Sequence, residues 1–512
     1  MRLMAAAAVF LLVGSTAIRA QEPNAPTATL SLREALSQAN RNSPTYRQTL
    51  NDAGAARWAV RNAYSSMFIP SVTVSGGLSY TGPGSATFGG SVFNQSSPTL
   101  SSVYGIGLDL QVSGQTLTAP GQQKAAQTAI SEDISNAEVS LGYDVTFQYL
   151  TALQASAQAE VARQQVTRNT EFLQLAEARY QVGQATIIDV KQAQVQKGQA
   201  DVALLRALQT ESEAKLELFR RMGVNPPVDI RSIALSDSFP VVAPEWDVNQ
   251  LLSVAGEQNP TIRAARAREN SAHYAVRAQQ SRFLPTVSLS ADWRGYTQQF
   301  TNDRILLGSV LESARDNFSN CEFQNSLIRS LPGGGINGQP NNGVISDCRA
   351  FANLDPTGEA LDPAFRSAIL RRNDVFPFNF TRQPFTASLQ ISLPIFDGFS
   401  RNLQLSQARA QRDDMREALR ARQLQVRTEV QARYLALQTA YQAIAVEAAN
   451  QEAARDQLRL AQDRYRLGAG SALDVTDAQN NVRQAEGNYV NAVYDYHKAI
   501  AALELAVGRP LR

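Results

Sequence analysis

Two aspartates at a spacing of three are the residues of this sequence whose chemistry is most specific. Asp474 and Asp477 lie in RYRLGAGSALDVTDAQ (464–479), after two glycines and at the start of a helical pattern. This spacing places both carboxylates on the same side of a helix. If that side lined a threefold pore, the copies would form two stacked rings of carboxylates, which attract cations and repel each other when ionised. The pair therefore predicts a constriction in an oligomer.

A near copy of the segment, RYQVGQATIIDVKQAQ, occurs at 179–194. In each copy a glycine, Gly183 or Gly468, supplies the permissive φ that ends a helix. A hydroxyl residue followed three positions later by aspartate then predicts a capping box at the next helix. The boxes are Thr186 with Asp189 and Ser471 with Asp474. Capping leaves Asp477, which matches Gln192 in the first copy, unexplained. Capping alone and capping combined with a gate are both compatible, and we favour the combination.

The N-terminal residues 1–20 are predicted to be a signal peptide. Arg2 supplies a short positive region, MAAAAVFLLVG (4–14) an apolar core, and STAIRA a small-residue cleavage region. Cleavage is expected after Ala20, with Ala17 as the alternative. The apolar run is too short to span a bilayer, so the chain is predicted to be exported.

Other chemistry is sparse. The 48 basic and 46 acidic residues leave no net field to attract nucleic acid. The two histidines, His273 and His497, lie in helical patterns far from any Cys/Asp/Glu cluster, which argues against metal binding or histidine acid/base catalysis. In an oxidising compartment Cys321 and Cys348 are expected to form a disulfide. No phosphate loop or nucleophile elbow occurs, so we expect no enzyme, no metal and no cofactor.

The chain is predicted to be an internal repeat. The segment 42–77 matches 258–292, so that FIP in the first copy corresponds to FLP in the second. Further along, Tyr180 matches Tyr465 at an offset of 285 positions. The two halves are therefore expected to share one order of elements.

The first repeat (21–245) is predicted to hold a helix (31–67), a strand pair (68–114), a long helix (120–180), a tip (181–186), a return helix to 222 and a proline-rich belt (223–245). The second repeat (246–512) is predicted to hold a helix (246–282), a strand pair (283–395) with a long loop (300–382), a long helix (400–466), a tip (467–471) and a return helix to 508. Heptad-like spacing in the long helices predicts a rod of antiparallel helices with the belt part-way along.

Four segments alternate apolar and polar residues with the period of a β-strand: 72–80, 104–112, 286–293 and 385–395. They fit either a soluble sandwich with its polar face outward or a transmembrane barrel with its apolar face toward lipid. A sandwich needs a second sheet, for which no further strand pattern is available. Four strands cannot close a barrel, and an open edge is not tolerated in lipid. We therefore expect an oligomer that pools its strands in one barrel.

These features resemble the TolC family of outer-membrane export channels over nearly all of the mature chain. The resemblance rests on the repeat, on the strands entered at FIP and FLP, on PIFDGFSR (394–401) before a long helix, and on the tip pattern Y-x-x-G-x-x-[ST]-x-x-D-V, which occurs twice. It implies a mixed α/β membrane protein: a homotrimer whose twelve strands, four per chain, form a shared transmembrane β-barrel continued by an α-helical coiled-coil barrel through the periplasm.

The resemblance also implies roles for residues at the tips. Asp474 and Asp477 match acidic positions that line the periplasmic constriction. Asp189 and Tyr465 match positions that bond between neighbouring coils, and Tyr180 is the first-half counterpart of Tyr465. The tip turns that would also dock an adaptor comprise Gly183, Thr186, Gly468, Gly470 and Ser471.

The closing network departs from the family pattern at two positions. A basic residue that locks the tip in the best-known members falls on Gly470, and its hydroxyl partner falls on Ile188. The latch of this chain must therefore differ, and Arg466 and Lys191 are the candidate substitutes.

The expected function is a passive outer-membrane exit duct of a tripartite efflux or type I secretion system, gated at its periplasmic tip. Implied partners are a periplasmic adaptor (membrane fusion) protein, an inner-membrane RND or ABC transporter and outer-membrane lipid, with no nucleic acid. Drugs and secreted proteins are both compatible as cargo. The alternative is a trimeric structural or adhesive stalk of the outer membrane that does not transport.

Overall fold

The structure is a computed structural model that describes residues 28–88 and 91–511. The predicted signal peptide (1–20) lies outside these residues. The helices are α1 Leu32–Asn42, α2 Pro44–Phe68, α3 Gly114–Gln181, α4 Ile187–Met222, α5 Val248–Gln258, α6 Pro260–Gln280, α7 Asp303–Arg329, α8 Cys348–Phe351, α9 Pro363–Asn373, α10 Ser400–Arg466 and α11 Ala472–Val507. The strands are β1 Ala28–Leu30, β2 Ser71–Thr81, β3 Gly84–Phe88, β4 Ser91–Ser96, β5 Thr99–Val112, β6 Ile233–Leu235, β7 Thr286–Phe300, β8 Thr381–Arg382 and β9 Thr386–Ser392.

The chain divides into two compact units, each built from segments of both sequence halves. The helical unit comprises the described parts of Met1–Arg57, Lys124–Ser271 and Gln411–Arg512. The strand unit comprises Trp58–Gln123 and Ala272–Ala410. Across the described residues, no helix combines the length and the apolar character needed to cross a membrane.

The single helices expected over 31–67 and 246–282 are wrong, because each is broken into two helices at a proline. Ser43, at the C-cap of α1, has φ −58° and ψ 118°, and Asn259, at the C-cap of α5, has φ −62° and ψ 122°. The ring of a following proline disfavours the α conformation at the preceding residue. Pro44 and Pro260 then begin α2 and α6, where the missing N–H costs nothing.

In the helical unit, the long helices α3, α4, α10 and α11 pack through small and aliphatic side chains. The heptad-like spacing predicted in the long helices corresponds on α10 to the buried residues Val426, Val430 and Leu437. Near the ends of the helices a separate cluster joins side chains from all four helices, including Phe172, Val190, Tyr465 and Val475. Burial of this kind, rather than helix propensity, supplies most of the stability of such helices.

The proline-rich belt is tied to the helices by a short parallel pair, β1 with β6. The hydroxyl of Tyr149, on α3, donates a hydrogen bond at 2.8 Å to either the carbonyl of Leu30 or the carboxylate of Asp237. The buried ammonium of Lys215 donates to the carbonyl of Ile233 at 2.7 Å. Burial raises the pKa of Tyr149, so its hydroxyl remains a donor.

In the strand unit, one antiparallel sheet has the order β2–β5–β7, and the other edge of β7 pairs with both β8 and β9. Its register brings the alternating residues onto common faces. Val74, Ile106 and Trp293 are cross-strand neighbours on an apolar face, where Val74 is 78% exposed. The opposite face is polar or small at the neighbouring positions Thr73, Gly107 and Asp292.

The long loop expected over 300–382 is wrong, because this segment contains α7, α8 and α9. Each helix begins at a side-chain cap: Asn302, Asp347 and Asp362 each accept backbone N–H bonds. The segment has its own apolar cluster around Ala314, Ala352, Leu354 and Leu361. Cys321 and Cys348 form a disulfide within it, with a Cα–Cα distance of 5.7 Å. The glycine- and asparagine-rich tract at 331–343 masked these capped helices in the sequence.

Candidate functional site

The two tips are turns of the same construction. Gly183 has φ 71° and Gly468 has φ 77°, a conformation that side-chain-bearing residues rarely adopt. The N–H of Gly183 donates to the carbonyl of Tyr180 at 3.0 Å, and the N–H of Gly468 donates to that of Tyr465 at 3.1 Å. These bonds satisfy carbonyls left unpaired at the ends of α3 and α10.

The return helices begin at the capping boxes predicted from the sequence, which the structure confirms. The N–H of Thr186 donates to the carboxylate of Asp189 at 2.8 Å, and the N–H of Asp189 donates to the Thr186 hydroxyl at 3.3 Å. Ser471 and Asp474 make the same two bonds at 3.0 and 3.2 Å. The backbone and side-chain bonds with Ser471 hold the pKa of Asp474 below its usual value, and the charge of Arg464 lowers it further.

Asp474 and Asp477 both lie on an exposed face of α11, while the intervening Val475 and Thr476 are buried. Within the described part of the chain neither carboxylate belongs to an ion pair. No group of three or more His, Cys, Asp or Glu among the described residues is arranged to hold a metal ion. The Asp477 carboxylate is therefore available to solvent and ions, whereas that of Asp474 is exposed but has one oxygen engaged in the capping box.

The tips join the helices into two hairpins, α3–α4 and α10–α11. Tyr465 is buried between these hairpins and contacts Arg179, which the sequence did not reveal as a tip residue. Its ring packs against Phe172 at 5.4 Å between centroids, and the guanidinium carbon of Arg179 lies 4.6 Å from the Tyr465 centroid. Burial raises the pKa of Tyr465, the charge of Asp189 raises it further and Arg179 opposes the rise. The available signal was that arginine precedes the tyrosine in both RYQVG and RYRLG.

Asp189 and Tyr465, which match positions that bond between neighbouring coils, make no hydrogen bond to each other within the described residues. The carboxylate of Asp189 is occupied by its capping box. The Tyr465 hydroxyl, together with Nε and Nη1 of Arg179, is buried without a hydrogen-bond partner among the described residues. Nη2 of Arg179 donates to the carbonyl of Gln184 at 3.2 Å. At Tyr465 the two hairpins therefore meet through a cation–π contact rather than a hydrogen bond.

The two latch candidates bond within their own helices. Arg466 pairs with Asp463 at 3.7 Å, and Nζ of Lys191 donates to Gln194 at 3.2 Å. Tyr180, the counterpart of Tyr465, is 47% exposed. These interactions give neither Arg466 nor Lys191 a role between the hairpins of one chain.

A buried ionic layer further from the tips was also missed. Glu486, on α11, is 3% exposed and pairs with Arg168 on α3 at 2.9 Å and with Arg455 on α10 at 3.0 Å. Nearby, the amide of Gln158 donates to the carbonyl of Gly487 at 2.8 Å. These polar contacts join α3 to α11 and α10.

The helices α3 and α10 differ in how much of one apolar stripe they bury. On α3 the stripe is buried or half-buried at Val139, Leu150, Val161 and Leu175. The corresponding residues on α10, at the repeat offset of 285 positions, are exposed by 58 to 61%: Leu424, Leu435, Val446 and Leu460. In the described part of the chain, these four apolar side chains of α10 are therefore left exposed to solvent.

A sheet with an exposed apolar face and paired helical hairpins with capped tips define an outer-membrane channel of the export type. The chain belongs to the outer membrane efflux protein family, whose model matches residues 28–224 and 365–509. It is therefore an outer-membrane exit duct for efflux, from a family of conduits rather than enzymes that works with efflux-pump partners.

Solved structures share this fold over almost the whole chain, which confirms the resemblance to TolC-family channels. A membrane protein from Pseudomonas aeruginosa superposes with a TM-score of 0.67 at 20% identity, covering 94% of this chain and 90% of that one. The CmeC outer membrane channel of Campylobacter jejuni gives 0.66 at 15% identity, covering 93% and 85%. The MtrE outer membrane channel of Neisseria gonorrhoeae, solved in its open state, gives 0.63 at 16% identity, covering 94% and 89%.

Proposed function

We propose that this efflux protein is a homotrimeric, passive duct of a tripartite efflux or type I secretion system, gated where its helical tips end in the periplasm. The exposed pair Asp474 and Asp477 at the start of α11 carries the proposal. Around a threefold axis the pair would form two carboxylate rings at the mouth of a tunnel. A passive duct needs no catalytic group and no cofactor, because the partner pump supplies the energy.

The sheet supports a barrel shared between copies. Within the described residues the outer strands β2 and β9 each have one unpaired edge, and the apolar face of the sheet is exposed at Val74 and Leu389. An unpaired edge is costly in lipid. Pairing β2 of one copy with β9 of the next would remove every edge and leave the polar face toward the lumen.

The helices support the same assembly. Leu424, Leu435, Val446 and Leu460 of α10 are exposed in the described part of the chain, whereas their counterparts on α3 are buried or half-buried. Large apolar side chains that recur exposed along one helix, where their counterparts in the other half of the chain are buried or half-buried, point to an interaction site. We propose that the two halves are structural repeats and that a neighbouring copy covers α10 as α3 is covered within the chain.

The gate is proposed at Asp474 and Asp477, with Tyr180, Tyr465 and Asp189 around it. Like charges brought together around an axis repel, so closure requires bound cations or compensating contacts. MtrE has been solved in an open state, which is consistent with a channel that has more than one state.

The tips are also the proposed docking surface for a periplasmic adaptor and, through it, an RND or ABC transporter. Val182 is 68% exposed and Leu467 is 84% exposed, each directly before the turn glycine. Exposed apolar side chains held on a rigid capped turn suit a helical partner better than solvent.

Conductance of purified trimers in planar bilayers tests this proposal. We expect a small current that multivalent cations block from the tip side. Asp477→Asn, which leaves the capping box of α11 intact, should raise the current and weaken the block, because one carboxylate ring is gone. The double variant with Asp474→Asn should extend both effects. Glu452→Gln is the control, since it removes one carboxylate from the exposed surface of α10 that makes no ion pair among the described residues.

Two outcomes would contradict the proposal. Intact trimers that carry no ion current under any condition would sink the channel. A cation block that is unchanged in the double variant would remove the two aspartates from the constriction and leave their role as helix capping and surface charge.

A further inference from the structure

The repeat predicts a second arginine–tyrosine pair equivalent to Arg179 and Tyr465, but its two residues make no cation–π contact with each other in the described part of the chain. Applying the repeat offset to this pair gives Arg464 and Tyr180. The ring of Tyr180 is 47% exposed and, in the described part of the molecule, has no cation above it. The guanidinium of Arg464 is exposed as well. The hairpin α10–α11 therefore carries the cation of Arg464 and the hairpin α3–α4 the ring of Tyr180, and neither makes a cation–π contact among the described residues.

We propose that Arg464 of one copy stacks on Tyr180 of the neighbouring copy and latches the closed tip across the subunit interface. This inference rests on the trimer proposed above. In a trimer the Arg179–Tyr465 contacts within chains and the Arg464–Tyr180 contacts between chains would alternate around the tip.

The surfaces beside the two residues fit this pairing. Leu175, on α3, packs against the cluster that contains Tyr465, whereas its counterpart Leu460 on α10 is 59% exposed. The edge of α4 exposes further apolar side chains: Val195 by 56%, Val202 by 48% and Leu205 by 67%. A second copy that covers α10 with its own α3 and α4 would bury both edges and carry its Tyr180 toward Arg464.

The local geometry favours glycine at position 470, beside Arg464. A Cβ at Gly470 would lie 3.1 Å from the Cβ of Arg464 and 3.2 Å from the backbone nitrogen of Tyr465. A side chain there would be tighter than ordinary contact and would crowd Arg464. The charge of Arg464 also lowers the pKa of Asp474 in the same tip. One arginine thus links the latch to the first carboxylate of the proposed constriction.

The existing pair suggests that such a contact is releasable. Arg179 leaves two buried nitrogens without hydrogen bonds among the described residues, and Tyr465 leaves its hydroxyl unpaired. A buried polar group without a partner lowers the net stability of the contact that buries it. A ring of contacts of this type would hold the tip closed while remaining separable when the hairpins move.

Cysteine cross-linking of the full-length protein in detergent tests the placement. Treated with a short bismaleimide, whose arm makes up for the length of the two replaced side chains, Arg464→Cys with Tyr180→Cys should give covalent dimers and trimers on a denaturing gel. The matched pair Arg179→Cys with Tyr465→Cys should cross-link within one chain and migrate as a monomer. Each single cysteine variant controls for exchange with the Cys321–Cys348 disulfide.

The results separate this proposal from the one on which it rests. Trimers that are intact by native mass spectrometry, but whose Arg464/Tyr180 pair yields only monomer, would overturn the latch and leave the duct standing. A wild-type protein that is monomeric in detergent would overturn both.

Conductance gives a second test with conservative partners. Tyr180→Leu and Arg464→Gln should each raise the basal current several-fold, and the double variant should add little to either. Tyr180→Phe keeps the ring and Arg464→Lys keeps the charge, so both should stay near the wild type. Equal currents from Tyr180→Phe and Tyr180→Leu would contradict a ring–cation contact.

Discussion

At the scale of single residues, the two aspartates at the start of α11 have different roles. Asp474 closes the capping box of α11 with Ser471, whereas Asp477, one turn further along, has no capping bond and remains exposed. Sequence spacing alone revealed both capping boxes, because capping is local and needs only neighbouring residues. It did not reveal Arg179, because the contact with Tyr465 joins residues from different halves of the chain.

The capping role makes the second tip sensitive to acid. Because the pKa of Asp474 is lowered in the folded chain, its contribution is complete above the ordinary aspartate pKa of about 3.9 and is lost as the pH falls through the lowered value. Hydrogen–deuterium exchange of residues 464–479, corrected for intrinsic rates, should therefore show fraying of α11 in acid.

Asp474→Asn is the control for this acid effect, because its side chain does not titrate in this range. Its exchange should depend little on pH, with protection lower than that of the wild type at neutral pH. Identical acid profiles for the two proteins would show that the cap does not govern the stability of the tip.

At the scale of elements, helix ends decided where the sequence-based predictions succeeded. The long helices α3 and α10 were predicted from their periodicity. The breaks at Pro44 and Pro260 were missed, because the helical pattern of side chains continues on both sides of each proline. The helix α7 was missed because the glycine- and asparagine-rich tract at 331–343 is typical of a loop, although Asn302 offers an N-cap for a helix.

The buried ionic layer should be a major link between helices. Glu486→Ala leaves Arg168, whose side chain is 18% exposed, without its carboxylate, and breaking a buried pair in this way costs about 3 kcal/mol. Denaturant unfolding in detergent should show this loss in the free energy of unfolding. Glu452→Ala on the exposed surface of α10 is the control and should cost less than about 0.5 kcal/mol. Equal losses for the two variants would contradict the role of the layer.

The positive-φ glycines at helix ends should differ in their tolerance of a side chain. A Cβ at Gly183 meets nothing within 4 Å, so Gly183→Ala should cost only the left-handed strain, about 1 kcal/mol. A Cβ at Gly223 would lie 2.5 Å from the carbonyl oxygen of Asn42, so Gly223→Ala adds a backbone clash. Thermal unfolding should rank Gly223→Ala well below Gly183→Ala, and the reverse order would refute this account.

At the scale of the whole molecule, sequence pattern predicted the class of fold better than its division into units. Strand alternation is a property of each segment, and the register then places Val74, Ile106 and Trp293 on one face. The compact units instead combine segments from both halves, because contacts such as the pairing of β5 with β7 join the first half of the chain to the second.

The uncovered stripe on α10 allows assembly to be tested apart from folding. Leu435 is 61% exposed, so Leu435→Gln should leave the helical circular dichroism of the chain unchanged. If a neighbouring copy buries this side chain, the substitution should cost about 2 kcal/mol at each interface, the loss from one buried leucine. Native mass spectrometry across a dilution series should then show trimers dissociating at higher protein concentration than the wild type. Val228→Gln, at a fully exposed position in the belt, is the matched control and should assemble normally. If the Leu435→Gln trimers survive dilution as well as the wild type, this helix surface lies outside the subunit interface.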